Sequence, residues 1–319
     1  MRLLYLDPST ASRDHARAAL AALARIEFAD ADAPLDGRDY DVLVAARPTP
    51  RHLERGPRAL VVPLAGLPDA TREILREFPA IPVHLLHHNA SAAAEMAIAL
   101  LFAAAKDLVS SDAALRRGTW TTAGGLRRLA GTRVVVLGHG HLGRRVATAC
   151  AQLGMVVDAV RRQPGARTDG PVTVHPREAL AAVLDGAAAV IVCVPLTPAT
   201  RGMLGDRELA RLADDALIVN VGRAEVIDEA VLFDHLQRRP MLRAALDVWY
   251  REPEHGNPLT GVRPSRHAFE ELPNVIMSPH RGWRVTDHEA ERMSALSQLL
   301  AQFQHGDWSS GAIDVAAGY

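Results

Sequence analysis

The sequence predicts an α/β protein built on doubly wound, parallel sheets. Three observations carry that expectation. Short apolar runs alternate with helical stretches along most of the 319 residues. A glycine string, Gly138-x-Gly140-x-x-Gly143, joins one apolar run to a helical pattern. Polar residues recur just after the later apolar runs, and in such sheets ligands sit beyond the carboxyl ends of the strands.

Taken in order, residues 3–6, 42–45, 60–62 and 83–86 read as strands, with helices over residues 14–23 and 69–77 between them. Residues 90–105 form the most apolar helix. It is too short to cross a bilayer and carries Glu95, so a buried core or a subunit interface is the expected use. Residues 116–131 lack periodicity and read as a connection. Beyond the glycine string, strands are expected over residues 188–194, 216–221, 243–248 and 275–278. Helices are expected over residues 176–184, 206–212 and 228–236, with a last one over 286–304.

Composition narrows the partners. Lys+Arg 36 against Asp+Glu 37 leaves a net charge of −1, which argues against nucleic acid or a membrane surface as the main partner. Lys106 is the only lysine, so nearly all the basic residues are arginine. The two cysteines, Cys150 and Cys193, supply neither a disulfide framework nor zinc spacing, and they fit a reducing cytoplasm. The first apolar run is too short for a secretory signal. His84, His87 and His88 resemble a metal cluster, but strand alternation separates them and no carboxylate or cysteine completes a set, so no metal is expected.

Each glycine of the string has a separate task in a strand-turn-helix unit. Gly138 permits the sharp turn, Gly140 lets backbone lie against a pyrophosphate, and Gly143 lets the helix pack close to the sheet. The helix start at His141 and Leu142 then offers amides and a positive dipole end to an anion. A second strand over residues 155–160 completes a dinucleotide-binding unit. An NAD site normally ends this strand with a carboxylate for the ribose 2′-hydroxyl. Here Arg161 and Arg162 stand in that place, two guanidinium groups suited to a 2′-phosphate, so NADP(H) is favoured over NAD(H). Asp158 is a carboxylate within the strand.

Three later strand ends carry Arg223, Glu252 and His280. Reduction of a 2-keto acid by hydride transfer needs a cation for the carboxylate, a proton donor for the forming alkoxide, and a group that keeps the donor protonated. Arg223, His280 and Glu252 match those needs in that order.

These residues, with Asn89-Ala90-Ser91-Ala92-Ala93-Ala94-Glu95, Val194-Pro195-Leu196-Thr197-Pro198-Ala199-Thr200-Arg201-Gly202, Asn220-Val221-Gly222-Arg223 and Leu272-Pro273-Asn274-Val275-Ile276-Met277-Ser278-Pro279-His280, resemble the D-isomer-specific 2-hydroxyacid dehydrogenases over nearly the whole chain. That family includes glyoxylate/hydroxypyruvate reductases and phosphoglycerate dehydrogenases. The resemblance implies a Rossmann cofactor domain over residues 92–283, inserted in a smaller flavodoxin-like substrate domain of residues 1–91 and 284–319, with cleft closure and a homodimer. It implies that Arg223 binds the substrate carboxylate, that His280 is the general acid/base, and that Glu252 hydrogen-bonds the imidazole. It places Asp247 near the nicotinamide, Val194, Pro195, Leu196, Thr200 and Gly222 along the dinucleotide, and the amides of Leu64, Ala65 and Gly66 at the substrate carboxylate.

Departures from the family pattern are specific. Leu67-Pro68-Asp69 follows Gly66 where Asp-Asn is common, and Met96 replaces a frequent histidine. Trp283 is expected to narrow the substrate pocket. Glu252 stands where formate dehydrogenases carry glutamine, which argues against formate. With Tyr319 as the last residue, the regulatory tail found on some phosphoglycerate dehydrogenases is not expected. The implied reaction is a D-specific reduction of glyoxylate, hydroxypyruvate or a similar acid. The alternatives are a dehydrogenase of another, phosphorylated, hydroxy acid and a dinucleotide-sensing regulator like the C-terminal-binding-protein corepressors.

Overall fold

In the computed structural model, which describes residues 1–6, 9–35, 39–120, 126–162, 165, 167–253 and 260–318, the chain forms two units. One comprises Met1–Asn89 with Val285–Tyr319, the other Ala90–Arg284.

The first unit is a five-stranded parallel sheet of β1 (Arg2–Leu6), β2 (Arg25–Ala29), β3 (Val42–Val44), β4 (Ala59–Val62) and β5 (Val83–Leu85), in the order β2-β1-β3-β4-β5. Successive side chains of a strand point to opposite faces, and this sheet is buried on both. Leu3, Tyr5, Val42, Val44 and Val61 pack under helices Thr10–Leu20 and His288–Gln304. Leu4, Leu6, Leu43, Leu60 and Val62 face the other way, toward Leu53, Leu67 and Leu75. Two covered faces explain why these strands read as unbroken apolar runs. β2 was not expected from the sequence: it lies at the edge, and only Ala29 of its residues is buried. The first helix starts earlier than its apolar pattern, because Ser9 caps it by accepting from the Ser12 amide at 3.1 Å.

The second unit is an eight-stranded sheet of β6 (Arg133–Leu137), β7 (Val156–Arg161), β8 (Arg167–Asp169), β9 (Val172–Pro176), β10 (Ala189–Val192), β11 (Leu217–Asn220), β12 (Arg243–Leu246) and β13 (Val275–Met277), ordered β13-β12-β11-β10-β6-β7-β9-β8. All neighbours are parallel except β8 and β9. The order reverses between β6 and β10, so the crevice at their carboxyl ends is the switch point where such sheets bind ligands. The expectation of α/β architecture on doubly wound parallel sheets holds in both units.

Helix Ala90–Ala105 has a face covered by core. Ala94, Ala97, Leu101, Ala104 and Ala105 lie in the same core as Val134, Val136, Val146 and Leu217 of this unit. That face belongs to the interior of the unit, while Met96, Ile98 and Phe102 of the same helix are only partly buried. The next helix, Leu108–Arg116, was not expected; it opens the stretch read as a connection, of which residues 121–125 lie outside the described ones. The helix expected over residues 176–184 divides into a 3-10 turn, Arg177–Ala179, and a short α-helix, Leu180–Leu184. Among the described residues no helix is long and apolar enough to cross a membrane. His84 is buried, with its Nε2 3.0 Å from the Trp308 carbonyl.

Candidate active site

The glycine turn follows β6 directly. Gly138 has φ +99°, a conformation that a side chain makes costly, and a Cβ there would come within 3.1 Å of the Cys193 carbonyl oxygen. Gly143 is more constrained: a Cβ would lie 1.9 Å from the Gly138 oxygen. The helix His141–Gln152 can start this close to the strand only with glycine at that place. Gly140, its N-cap, is the opposite case, since a Cβ there would meet nothing within 4 Å. Two glycines thus hold protein against protein, and the third keeps open a face at the positive end of a helix. This arrangement fits a dinucleotide pyrophosphate. Leu142 is half-buried, and His141 is exposed, its pKa lowered by partial burial and then by Arg145 and Arg144.

Arg161 ends β7 half-buried, and Arg162 follows it exposed. Asp158, three residues earlier, is occupied elsewhere: it accepts from His175 Nε2 at 2.7 Å and sits 3.7 Å from Arg133. No carboxylate of β7 is therefore left at the strand end for a ribose hydroxyl.

On the other side of the switch point, the Asn220 side chain shapes the turn that carries Arg223. Its Oδ1 accepts from the Gly222 amide and its Nδ2 donates to the Arg223 carbonyl, both at 3.0 Å. A Cβ on Gly222 would lie 2.7 Å from the Val194 oxygen, so this turn packs against the segment after β10. Val194, Pro195 and Leu196 are half-buried there. Thr200 is buried, and its hydroxyl donates to the Pro195 carbonyl at 2.6 Å. It supports the loop's shape.

His280 Nδ1 lies 2.6 Å from Glu252 Oε2, with both side chains about one-third exposed. Glu252 Oε1 accepts from the Trp249 amide at 3.1 Å. Burial pushes the Glu252 carboxyl up, but the His280 bond and charge, the Trp249 amide and the nearby Arg223 cation together hold it below its ordinary value. The three expected groups therefore share one electrostatic neighbourhood.

Asp247 anchors the loop that presents His280. Buried at 3% exposure, it accepts from the Ser278 hydroxyl, from the Arg281 amide at 3.1 Å and from the Gly282 amide at 2.8 Å. His280 itself has φ +49°, costing about 1–2 kcal/mol for a residue with a side chain. Strain of this kind persists only where the surroundings over-determine it. Trp249 adds a further tie by donating from Nε1 to the Ser278 carbonyl at 2.8 Å. Gly282 packs on Met96, whose Cβ and Cγ would lie 3.1 Å from a Cβ at that place, so Met96 backs the loop. Trp283 is half-buried, with the Arg284 guanidinium 5.4 Å from its ring centre.

The sequence reading did not single out Asn220, Ser278 or Trp249 as site residues. Asn220 and Ser278 lie within the motifs it used, but their partners depend on strand neighbours distant in sequence. In the first unit, Leu64 is 40% exposed, its carbonyl accepts from the Leu86 amide at 3.1 Å, and Leu67 is buried beneath the loop.

The sequence model of the family described as D-isomer specific 2-hydroxyacid dehydrogenase, NAD binding domain, matches residues 98–282. The D-3-phosphoglycerate dehydrogenase of Methanocaldococcus jannaschii is 27% identical over 87% of this chain and 52% of its own length. The 2-ketogluconate reductase of Gluconobacter oxydans is 32% identical over 66% of this chain and 64% of its own length. The chain thus spans about half to two thirds of the length of these curated relatives. Among solved structures, a D-isomer specific 2-hydroxyacid dehydrogenase from Xanthobacter autotrophicus Py2, in complex with NADPH and MES, has a TM-score of 0.78 and 25% identity, covering 100% of this chain and 99% of that one. The glycine turn, the switch-point sheet and this match together show that the chain belongs to the D-isomer specific 2-hydroxyacid dehydrogenase family and carries its nicotinamide-dinucleotide-binding domain.

Proposed function

We propose that the protein is an NADP(H)-linked reductase of small 2-keto acids, such as glyoxylate or hydroxypyruvate, and that it forms the D-hydroxy acid. The observation that carries this reading is the His280–Glu252 pair at 2.6 Å, on a strained loop pinned by buried Asp247. Reductase activity is in the name of the Gluconobacter relative, and NADPH is bound in the Xanthobacter structure.

When bound, the reduced nicotinamide supplies the hydride. Arg223 binds the substrate carboxylate and polarises the keto oxygen. The Glu252 carboxylate accepts from Nδ1 of His280, which fixes the ring and leaves Nε2 to deliver a proton to the oxygen as it becomes a hydroxyl. In the reverse direction Nε2 takes that proton back. Gly140 and the helix start behind it take the pyrophosphate; Val194, Pro195, Leu196 and Gly222 line its path, and Thr200 holds their loop in shape. The Leu64-Ala65-Gly66 loop of the first unit, which carries no charged side chain, is assigned to the substrate carboxylate by the family resemblance alone. Trp283 limits substrate size. Both cysteines are free thiols, in keeping with a cytoplasmic setting.

Arg161 and Arg162 take the 2′-phosphate. Exchanging Arg161 for aspartate is expected to weaken NADPH binding by about tenfold or more and to spare or improve NADH binding. Titration of each dinucleotide by fluorescence checks this, and unchanged NADPH affinity would overturn the cofactor assignment. Turnover of glyoxylate, hydroxypyruvate, pyruvate and phenylpyruvate with each dinucleotide tests the reaction itself.

A homodimer is proposed through the apolar surface of the second unit. Leu108, Val109, Leu115, Trp120 and Leu126 are each 50% exposed or more, with Trp120 at 84%. Sedimentation should give twice the chain mass for the native protein and a shift toward monomer for a Val109→Glu, Leu115→Glu variant. A monomeric native protein would contradict the proposal.

A further inference from the structure

The hairpin β8–β9 brings more charge to the end of β7 than the two arginines read from the sequence. Asp169 is its central group. One oxygen, Oδ2, accepts from His139 Nε2 at 2.8 Å and lies 3.7 Å from Nε of Arg144. His139 is the buried residue between Gly138 and Gly140, and Arg144 lies in the first turn of the glycine helix. A single carboxylate therefore spans the hairpin, the glycine turn and the helix.

Two arginines, Arg144 and Arg167, act on it and also on Arg161. The Arg161 guanidinium is pulled below its ordinary value by burial and then by the charges of Arg167 and Arg144, so both of these lie within electrostatic reach of it. The Asp169 carboxyl is held below the usual range, first by the His139 hydrogen bond and then by the charges of His139, Arg144 and Arg167. Arg144 and Arg167 act on both Arg161 and Asp169, so mutually repelling cations converge beside this carboxylate, and a doubly charged anion would relieve that repulsion. The two contacts of Asp169 also differ in kind. The bond to His139 has ordinary length, whereas 3.7 Å to Arg144 is too long for a hydrogen bond, so Arg144 can turn to another acceptor without breaking one.

We propose that Arg144 and Arg167 complete, with Arg161, the site for the adenosine 2′-phosphate, and that Asp169 is the internal counter-charge the phosphate displaces from Arg144. This rests on the NADP(H) reading above and extends it to residues outside the strand end. Asp169 acts through Arg144 and His139 and is a positioning residue. Its retained charge also means that binding of the phosphate competes with a fixed carboxylate, which moderates affinity for NADPH while leaving NADH untouched.

The test is the affinity of the whole protein for NADPH, NADH and 2′,5′-ADP, measured by calorimetry. Arg144→Ala and Arg167→Ala should each weaken NADPH and 2′,5′-ADP by about tenfold and leave NADH unchanged. Asp169→Asn keeps an acceptor for His139 but loses the charge, and should tighten NADPH and 2′,5′-ADP severalfold with no change for NADH. If Arg161→Ala weakens NADPH while Arg144→Ala and Arg167→Ala do not, the extension fails and the NADP(H) reading stands. Equal losses for NADPH and NADH in Arg144→Ala, or weaker binding of both in Asp169→Asn, would assign these residues to the turn's architecture and overturn the proposal. Should the native protein prefer NADH and Arg161→Ala change nothing, the underlying cofactor reading fails.

Discussion

Replacing His280 with alanine should lower kcat by roughly 10²- to 10⁴-fold, the range for loss of a positioned general acid, while dinucleotide affinity stays as it was. The reason for that split lies in the loop. Asp247 grips the segment through Ser278 and the amides of Arg281 and Gly282, none of which needs the imidazole. The left-handed backbone at residue 280 is likewise set by its neighbours, with the His280 amide 3.0 Å from the Ser278 carbonyl. Only the proton at Nε2 is lost. Glu252→Gln should have a smaller effect with a distinctive pH signature. The Glu252 carboxyl is held below its ordinary value, so its charge, and the stability linked to it, are fully present above the unfolded-state pKa. Both are lost as pH falls through the depressed folded value. Steady-state profiles should therefore show native activity declining on the acid side as Glu252 protonates, and that dependence should vanish in the glutamine variant. A His280→Ala enzyme of near-native kcat would remove the histidine from the mechanism.

The second large effect is expected at Gly143. An alanine there would put a methyl 1.9 Å from a backbone oxygen of Gly138, and neither the strand nor the helix can give way without breaking the turn. Overpacking of this severity costs about 3 kcal/mol or more, which corresponds to a fall in Tm of about 6–12 °C for a unit of this size. Dinucleotide binding should be lost with it. Gly140→Ala is the matched control, because its methyl meets no protein atom within 4 Å. Native Tm with weakened binding of both NADPH and NADH is expected there, since the methyl would occupy the face assigned to the pyrophosphate. Thermal unfolding and fluorescence titration of the two variants separate these cases. Native-like binding by Gly140→Ala would contradict the pyrophosphate assignment.

What the sequence made legible follows from where each element is buried. β3, β4, β10 and β11 are covered on both faces and read directly as apolar runs. β2 and β8 are largely exposed edge strands, and their mixed residues gave no period to follow. The β8–β9 hairpin did carry a signal in Asp169-Gly170-Pro171. Gly170 has φ +59° at the first central position of a two-residue turn, as primed hairpin turns require. Helix Ala90–Ala105 was found, but a helix apolar on every side reads alike whether core or interface covers it. Glycines, Arg223, Glu252 and His280 were legible because each sits in a short local motif. The pairings of Asp247 with Ser278, His139 with Asp169 and Met96 with Gly282 were not, since each joins elements that only the folded sheet brings together.

The most direct test of the central claim is the stoichiometry and chirality of one reaction. The protein is incubated with hydroxypyruvate and NADPH, and NADPH consumed is compared with glycerate formed and resolved by chiral chromatography. One D-glycerate per NADPH, with none formed by the His280→Ala variant, is the predicted result. A protein that binds NADPH yet consumes none with hydroxypyruvate or glyoxylate, or that yields the L-acid, would contradict the account.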